Sequence, residues 1–162
     1  GRLMKELERL KLRKNTLVVF ASDNGAAVQA PLKLLKCNGV FRGRKGLLYE
    51  GGIRVPLIVN QPGKIPVRTL ENIIYFPDIM PTFAALTGNK HLPQHLNGIN
   101  ILPLFYGKQL DTDHRLLYWE FPGVQRAARK GDWKCVTTKR GAPLELYNIK
   151  EDMEERHNLA DQ

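Results

Sequence analysis

The segment "NTLVVFASDNG" (15–25) decides the fold class of this chain. Its apolar run, residues 16–22, has no polar alternation, which is typical of a strand covered on both faces in a parallel sheet. Before it, apolar residues recur at helical spacing among charged neighbours, which predicts an amphipathic helix over residues 2–13. A helix followed directly by a buried strand predicts an α/β layer fold.

Two further segments extend this α/β pattern. "IRVPLIVN" (53–60) predicts a second buried strand, with Pro56 near its start, where a missing N–H is tolerated. "FPDIMPTFAALTG" (76–88) predicts a short helix that ends at Gly88 and keeps its prolines in the first turns.

The pattern changes from about residue 112 onward. Short strand-like segments follow one another, separated by Pro-Gly, Gly-Asp and Arg-Gly pairs that suit hairpins. They are residues 115–121, 124–130, 132–138 and 143–149. The sequence therefore predicts an α/β domain over residues 1–111 and a small antiparallel-sheet subdomain over residues 112–162.

Composition and charge limit the kinds of function that this chain can have. The 162 residues are 43% apolar, with no uninterrupted apolar run long enough to span a membrane. The net charge is +9, and seven Lys or Arg but only one acid lie between Lys33 and Lys64. Such a segment is either a solvated basic face or a site for a phosphate ester, a sulfate ester or a polyanion. Whether Cys37 and Cys135 pair, and in which compartment the protein works, stays open.

Asp23 and Asn24 are candidate metal ligands, because they follow a buried strand where open α/β sheets bind ligands. Carboxylate and amide oxygens suit Ca²⁺ or Mg²⁺ better than zinc. The alternative is structural, since Asn24-Gly25 would also form a type I′ hairpin turn. Two donors do not complete a calcium site, which needs six to eight oxygens.

The segment "FRGRKGLLYEGGIRVPLIV" (41–59) supports the site interpretation. Glycines flank Arg44 and Lys45, so the backbone can approach a ligand closely while two cations point into the same region. A lysine ammonium is a compact charge that can hold one oxygen of a sulfate or phosphate group. Lys45 lies in a loop of about thirty residues, and loops of that length in compact domains are usually functional or disordered.

Taken together, these segments resemble the sulfatase family, the arylsulfatase-like branch of the alkaline phosphatase superfamily. The strand with Asp23-Asn24, the Gly-Lys loop with "EGGIRVP" (50–56) and the helix at 76–88 are similar to family segments. "NGINILPLFYG" (97–107) and the ending "LELYNIKEDMEERHNLA" (144–160) also resemble them. Arg44 departs from the family pattern, which commonly has a small residue there.

The resemblance implies a fold, a metal and a substrate class. It implies an alkaline phosphatase-like α/β/α sheet followed by the small antiparallel sheet. It also implies that Asp23 and Asn24 bind Ca²⁺ and that Lys45 contacts a sulfate oxygen of a sulfated small molecule or sulfated carbohydrate. For compartment it suggests a periplasmic, secreted or lysosomal enzyme.

One part of the family's chemistry is missing from these residues. The family uses a formylglycine nucleophile, made from the first residue of a Cys/Ser-x-Pro-x-Arg motif, and neither Cys37 nor Cys135 lies in such a motif. We therefore expect this sequence to be the C-terminal part of a sulfatase, inactive by itself, with formylglycine in the missing N-terminal part. We also expect apolar surface exposed on its α/β sheet, through which the chain could self-associate.

Two other functions are compatible with the residues alone. A phosphoester hydrolase of the same superfamily would use the same metal pair and lysine. A non-catalytic basic module for polyanions belongs to another class, but no nucleic-acid motif is present and the aromatic residues do not interleave with the basic segment. We therefore expect no nucleic-acid partner and no membrane association.

Overall fold

The computed structural model describes residues 1–27, 29 and 35–162. Residues 28 and 30–34, part of the predicted long loop and including Lys33, lie outside the described residues. The described helices are α1 Arg2–Arg9, α2 Glu50–Ile53, α3 Ile79–Thr87 and α4 Leu102–Phe105. The strands are β1 Val18–Ala21, β2 Leu57–Asn60, β3 Leu116–Phe121, β4 Gln125–Lys130, β5 Trp133–Thr137 and β6 Glu145–Asn148.

The predicted fold class, α/β with a C-terminal antiparallel sheet, is confirmed. β1 and β2 pair in one sheet, and β3, β4, β5 and β6 form a second sheet in chain order. Every neighbouring pair in the second sheet is antiparallel. Its turns contain glycines with positive φ, Gly123 at 71°, Gly131 at 56° and Gly141 at 77°, which is why the Gly-containing pairs marked these turns in the sequence.

Several boundaries differ from the prediction. The N-terminal helix ends at Arg9, and a 3-10 turn over Arg13–Asn15 follows. β2 begins only at Leu57, because Ile53 ends the short helix α2 and residues 54–56 connect the helix to the strand. The predicted helix at 76–88 is a 3-10 turn followed by α3, with Gly88 in the left-handed conformation as its C-cap.

The chain divides into two compact units. The first combines Gly1–Phe20 with Leu57–Thr112, and the second combines Ala21–Pro56 with Asp113–Gln162. The segment that carries Asp23, Asn24 and Lys45 therefore belongs with the antiparallel sheet. The division into domains 1–111 and 112–162 stays a prediction.

The first unit has its own apolar core. Ile101, Leu104 and Phe105 are buried there, against partly buried residues that include Leu17 and Val59 beside or within β1 and β2. The loop before α4 is fixed by α3, because the Thr82 hydroxyl accepts a hydrogen bond from the Ile101 N–H at 3.0 Å.

The β1–β2 sheet also exposes apolar side chains. Phe20 on β1 is 62% exposed and Ile58 on β2 is 59% exposed, and α1 buries none of its residues. Among the described residues, no helix is long and apolar enough to cross a membrane.

We expect the isolated chain to self-associate as its concentration rises, because exposed apolar residues on a short sheet favour contact with another copy. Phe20→Thr with Ile58→Thr should shift the population toward monomer in sedimentation velocity. Leu116→Thr, at an apolar side chain 70% exposed on the other sheet, is the matched control. A monomeric parent chain at all concentrations would contradict this expectation.

Candidate active site

Asp23 and Asn24 lie in a turn directly after β1. One side-chain and one backbone hydrogen bond hold the turn: the Ser22 hydroxyl donates to the Asn24 carbonyl at 2.8 Å, and the Gly25 N–H donates to the Gly52 carbonyl at 2.9 Å. Asp23 is exposed and Asn24 is half-buried. Within residues 1–27, 29 and 35–162, no hydrogen-bond or ion-pair partner occupies the Asp23 carboxylate or the Asn24 side-chain amide.

The hairpin interpretation of this turn is wrong. A type I′ turn needs positive φ at both central residues, and neither Asn24 nor Gly25 has one. Glycine is required at 25 for another reason: a Cβ there would lie 1.8 Å from the Gly51 carbonyl oxygen. The Asn-Gly pair therefore reflects close backbone packing against α2.

Lys45 is the second residue of a β-turn over residues 44–47, which we call the lysine turn. The Leu47 N–H donates to the Arg44 carbonyl at 2.9 Å, and Gly46 at the third turn position has φ 88°, which is the geometry of a type II turn. The side chains of Arg44 and Lys45 are exposed. The Lys45 N–H donates to the Ala26 carbonyl at 3.0 Å, so the structure brings the lysine loop beside the turn that carries Asp23 and Asn24.

Asn38 strengthens this junction, a role that the sequence analysis did not predict. Its side-chain oxygen accepts the Ala26 N–H at 2.9 Å, and its side-chain NH₂ donates to the Gly43 carbonyl at 2.8 Å. One side chain thus connects the segment after Asn24 to the loop before Arg44.

A buried ionic cluster lies at the start of α2. The Lys134 ammonium, fully buried on β5, lies 2.9 Å from the Glu50 carboxylate and 2.8 Å from that of Glu155. The other Glu155 oxygen accepts the Glu50 N–H at 2.6 Å. Arg129 and Arg54 lie 3.6 and 3.5 Å from Glu50 at the edge of the cluster. Burial raises the pKa of the Glu155 carboxyl, and the Lys134 charge acts in the opposite direction.

The sequence showed Glu50 only as part of the "EGGIRVP" segment and did not indicate its partners. They come from β5 and from the C-terminal segment, more than eighty residues away. The folded backbone marks Glu155 as unusual, since its φ is 55°. Non-glycine residues seldom adopt this conformation, and here the contacts of the Glu155 carboxylate compensate for its cost.

Two tyrosine hydroxyls and Arg42 form a second polar cluster around Glu145. Tyr49 and Tyr147 both donate to the Glu145 carboxylate, at 2.8 and 2.5 Å. Arg42 lies 3.9 Å from the centre of the Tyr49 ring and donates to the Tyr147 hydroxyl at 2.9 Å. Burial and the hydrogen bond to Glu145 raise the pKa of Tyr49 and raise that of Tyr147 to about 12, so both tyrosines act as neutral donors.

The described part of the chain contains no further cluster of metal-ligating side chains. Among the described residues, no group of three or more His, Cys, Asp or Glu side chains is arranged to hold a metal ion. Cys37 and Cys135 are both free thiols, the first exposed and the second half-buried.

The sequence matches one known protein family over more than half of its length. The model of the family described as Sulfatase matches residues 1–89, more than half of the chain. This chain belongs to the sulfatase family.

Curated relatives agree with this assignment. Mouse steryl-sulfatase is 38% identical over 125 residues, covering 73% of this chain and 20% of the relative. Bovine arylsulfatase A is 29% identical over 186 residues, covering 99% of this chain and 36% of the relative. An endo-4-O-sulfatase of Bacteroides thetaiotaomicron is 33% identical over 112 residues, covering 68% of this chain and 20% of the relative. The chain thus spans between a fifth and about a third of these relatives.

Solved structures share the fold over the whole chain. A sulfatase structure from the metabolism of glycosaminoglycans by Bacteroides thetaiotaomicron has a TM-score of 0.84 at 26% identity, covering 100% of this chain and 38% of that one. A phosphonate monoester hydrolase from Silicibacter pomeroyi has a TM-score of 0.73 at 18% identity, covering 100% of this chain and 34% of that one. At that identity the second likeness shows the fold alone.

Replacing Lys134 by Met should lower the free energy of unfolding by about 3–5 kcal/mol, because two buried carboxylates lose the charge that compensates them. Urea unfolding of the chain, followed by circular dichroism, measures the loss. Lys130→Met changes an exposed lysine on the adjacent strand and should cost no more than about 0.5 kcal/mol. Equal losses for the two variants would show that the cluster does not hold this part of the fold.

Proposed function

We propose that this chain is the C-terminal part of a sulfatase that hydrolyses sulfate esters. The observation that carries the proposal is the hydrogen bond from the Lys45 N–H to the Ala26 carbonyl. It joins a loop with two exposed cations to a turn whose Asp23 and Asn24 side-chain oxygens have no partner among the described residues, in a chain of the sulfatase family. The formylglycine nucleophile and the remaining metal ligands belong, in this proposal, to residues outside this sequence.

Asp23 and Asn24 are the proposed Ca²⁺ ligands. Their oxygens are hard donors of the kind that Ca²⁺ prefers, and no other described residue occupies them. Gly25 and Gly52 hold the turn rigid, so the two side chains are presented from a fixed backbone. When bound, Ca²⁺ would neutralise negative charge on the sulfate oxygens.

Lys45 is the proposed sulfate-binding residue. Its place in a type II turn fixes the Cα, and its exposed side chain keeps the ammonium free to meet an anion. Arg44 precedes it and adds positive charge to the same loop. Neither cation forms an ion pair with an acid among the described residues, so their charges are not neutralised locally.

The substrate is proposed as a sulfated small molecule or sulfated carbohydrate. A structural neighbour was solved with its substrate D-glucosamine-2-N,6-O-disulfate, at 23% identity, and curated relatives include steryl-sulfatases. Phosphoester hydrolysis is the alternative within the superfamily. The longer enzyme, meaning this chain together with the proposed N-terminal part, can be assayed in parallel with 4-nitrophenyl sulfate and 4-nitrophenyl phosphate. These assays separate sulfate-ester from phosphate-ester hydrolysis, and a preference for phosphate would overturn the proposal.

The 162-residue chain alone should bind Ca²⁺ weakly, because two protein ligands replace little of the ion's hydration shell. Isothermal titration calorimetry measures the affinity, and Asp23→Ala should abolish what binding there is. Sub-micromolar affinity, or binding that persists in Asp23→Ala, would show that the ligands lie elsewhere in this sequence.

Replacing Lys45 by Ala in the longer enzyme should lower kcat/KM by about thirty- to a thousandfold. A charge-assisted contact to a sulfate oxygen that strengthens in the transition state is worth about 2–4 kcal/mol. Steady-state kinetics at low and high ionic strength measure the effect. Arg44→Ala is the matched control: if Arg44 only adds to the local field, its loss is smaller and shrinks at high salt. Equal, salt-sensitive losses at both positions would contradict a specific role for Lys45.

A further inference from the structure

Gln125 makes two hydrogen bonds to the loop that carries Lys45. It is the first residue of β4 and is only 4% exposed. Its side-chain NH₂ donates to the Gly46 carbonyl at 2.8 Å, and its side-chain oxygen accepts the Leu48 N–H at 3.2 Å. A single amide side chain thus pairs with the backbone on both sides of Leu47.

The tip of the lysine turn is exposed, whereas Leu47 and Leu48 after it pack in the apolar core of the unit. A Cβ at Gly46 would meet no atom within 4 Å, and Arg44, Lys45 and Gly46 are all exposed. On the N-terminal side the Lys45 N–H is held by Ala26. On the C-terminal side, Gln125 holds the chain at Gly46 and Leu48.

We propose that Gln125 is a positioning residue for Lys45, an inference that rests on the proposed function of Lys45 as a sulfate ligand. Through Gln125, the antiparallel sheet sets where the lysine ammonium meets the substrate. The side chain suits this role because it carries a donor and an acceptor on one planar group. Glutamate lacks the donor, asparagine is one methylene shorter, and methionine has the length of Gln without either hydrogen bond.

The contact itself is tested in the 162-residue chain by amide hydrogen exchange. Gln125→Met should accelerate exchange of the Leu48 N–H, which loses its acceptor, and of the Lys45 N–H, whose turn loosens. Exchange of the Glu50 N–H, held by Glu155, should change little. Gln109→Met, the same substitution at an exposed glutamine, should leave all three amides unchanged. Unchanged exchange at Leu48 and Lys45 in Gln125→Met would overturn the inference.

The functional consequence is tested by a double-mutant cycle in the longer enzyme with 4-nitrophenyl sulfate. Gln125→Met alone should lower kcat/KM by about ten- to a hundredfold, because small displacements of a catalytic contact are costly. In the Lys45→Ala background the same change should cost about twofold or less, since residues that act through one contact are not additive. Gln125→Glu, which keeps the shape and the Leu48 acceptor but removes the donor to Gly46, is the second variant if Gln125→Met fails to fold.

The outcomes separate the two proposals. If Lys45→Ala leaves kcat/KM unchanged, the assigned role of Lys45 falls, and the inference about Gln125 falls with it. If Lys45→Ala lowers kcat/KM but the Gln125 loss is absent or fully additive, only the inference falls. An additive loss is what a purely structural role for Gln125 would give.

Discussion

The buried ammonium of Lys134, held between the carboxylates of Glu50 and Glu155, is the constraint on which the candidate site depends. None of these charges can be buried without the others, because an unpaired buried charge is far more costly than a paired one. The start of α2, the strand β5 and the C-terminal segment must therefore meet at one point. That meeting fixes Gly51 and Gly52, and the Gly52 carbonyl in turn holds the Gly25 N–H beside Asp23 and Asn24.

Two routes connect the antiparallel sheet to the two halves of the site. One runs from Lys134 through Glu50 and Gly52 to the Asp23–Asn24 turn. The other runs from Gln125 to the backbone on either side of Leu47, beside Lys45. Every contact in both routes lies within the unit formed by Ala21–Pro56 and Asp113–Gln162. The small sheet is therefore a support for the site, in addition to being a separate fold element.

The sequence predicted those features that depend on local chemistry. Apolar runs located β1 and β2, and hairpin glycines located the turns of the second sheet, because both signals act over a few residues. The boundaries of β2 were missed because α2 is held by tertiary contacts to Glu50, with two glycines in its four residues that oppose a helix on their own. Asn38 and Gln125 were missed for a related reason. A polar side chain that bonds distant backbone leaves no periodicity or spacing, so its role appears only when the chain is folded.

Close backbone packing explains why hydrogen bonds help to hold the candidate site together, in addition to the apolar core of the same unit. A Cβ at Gly52 would lie 1.9 Å from the Leu47 carbonyl oxygen, and one at Gly51 would lie 2.5 Å from that of Arg42. Main chain therefore touches main chain between α2, the lysine loop and the Asp23 turn, while Leu48 and Tyr49 next to this contact are buried in the apolar core of the same unit. The hydrogen bonds of Glu50, Asn38 and Gln125 at the margins of this contact therefore add to the stability that the apolar core contributes. This arrangement places two exposed cations, Arg44 and Lys45, on a backbone held by these contacts, as their proposed role in binding an anionic substrate requires.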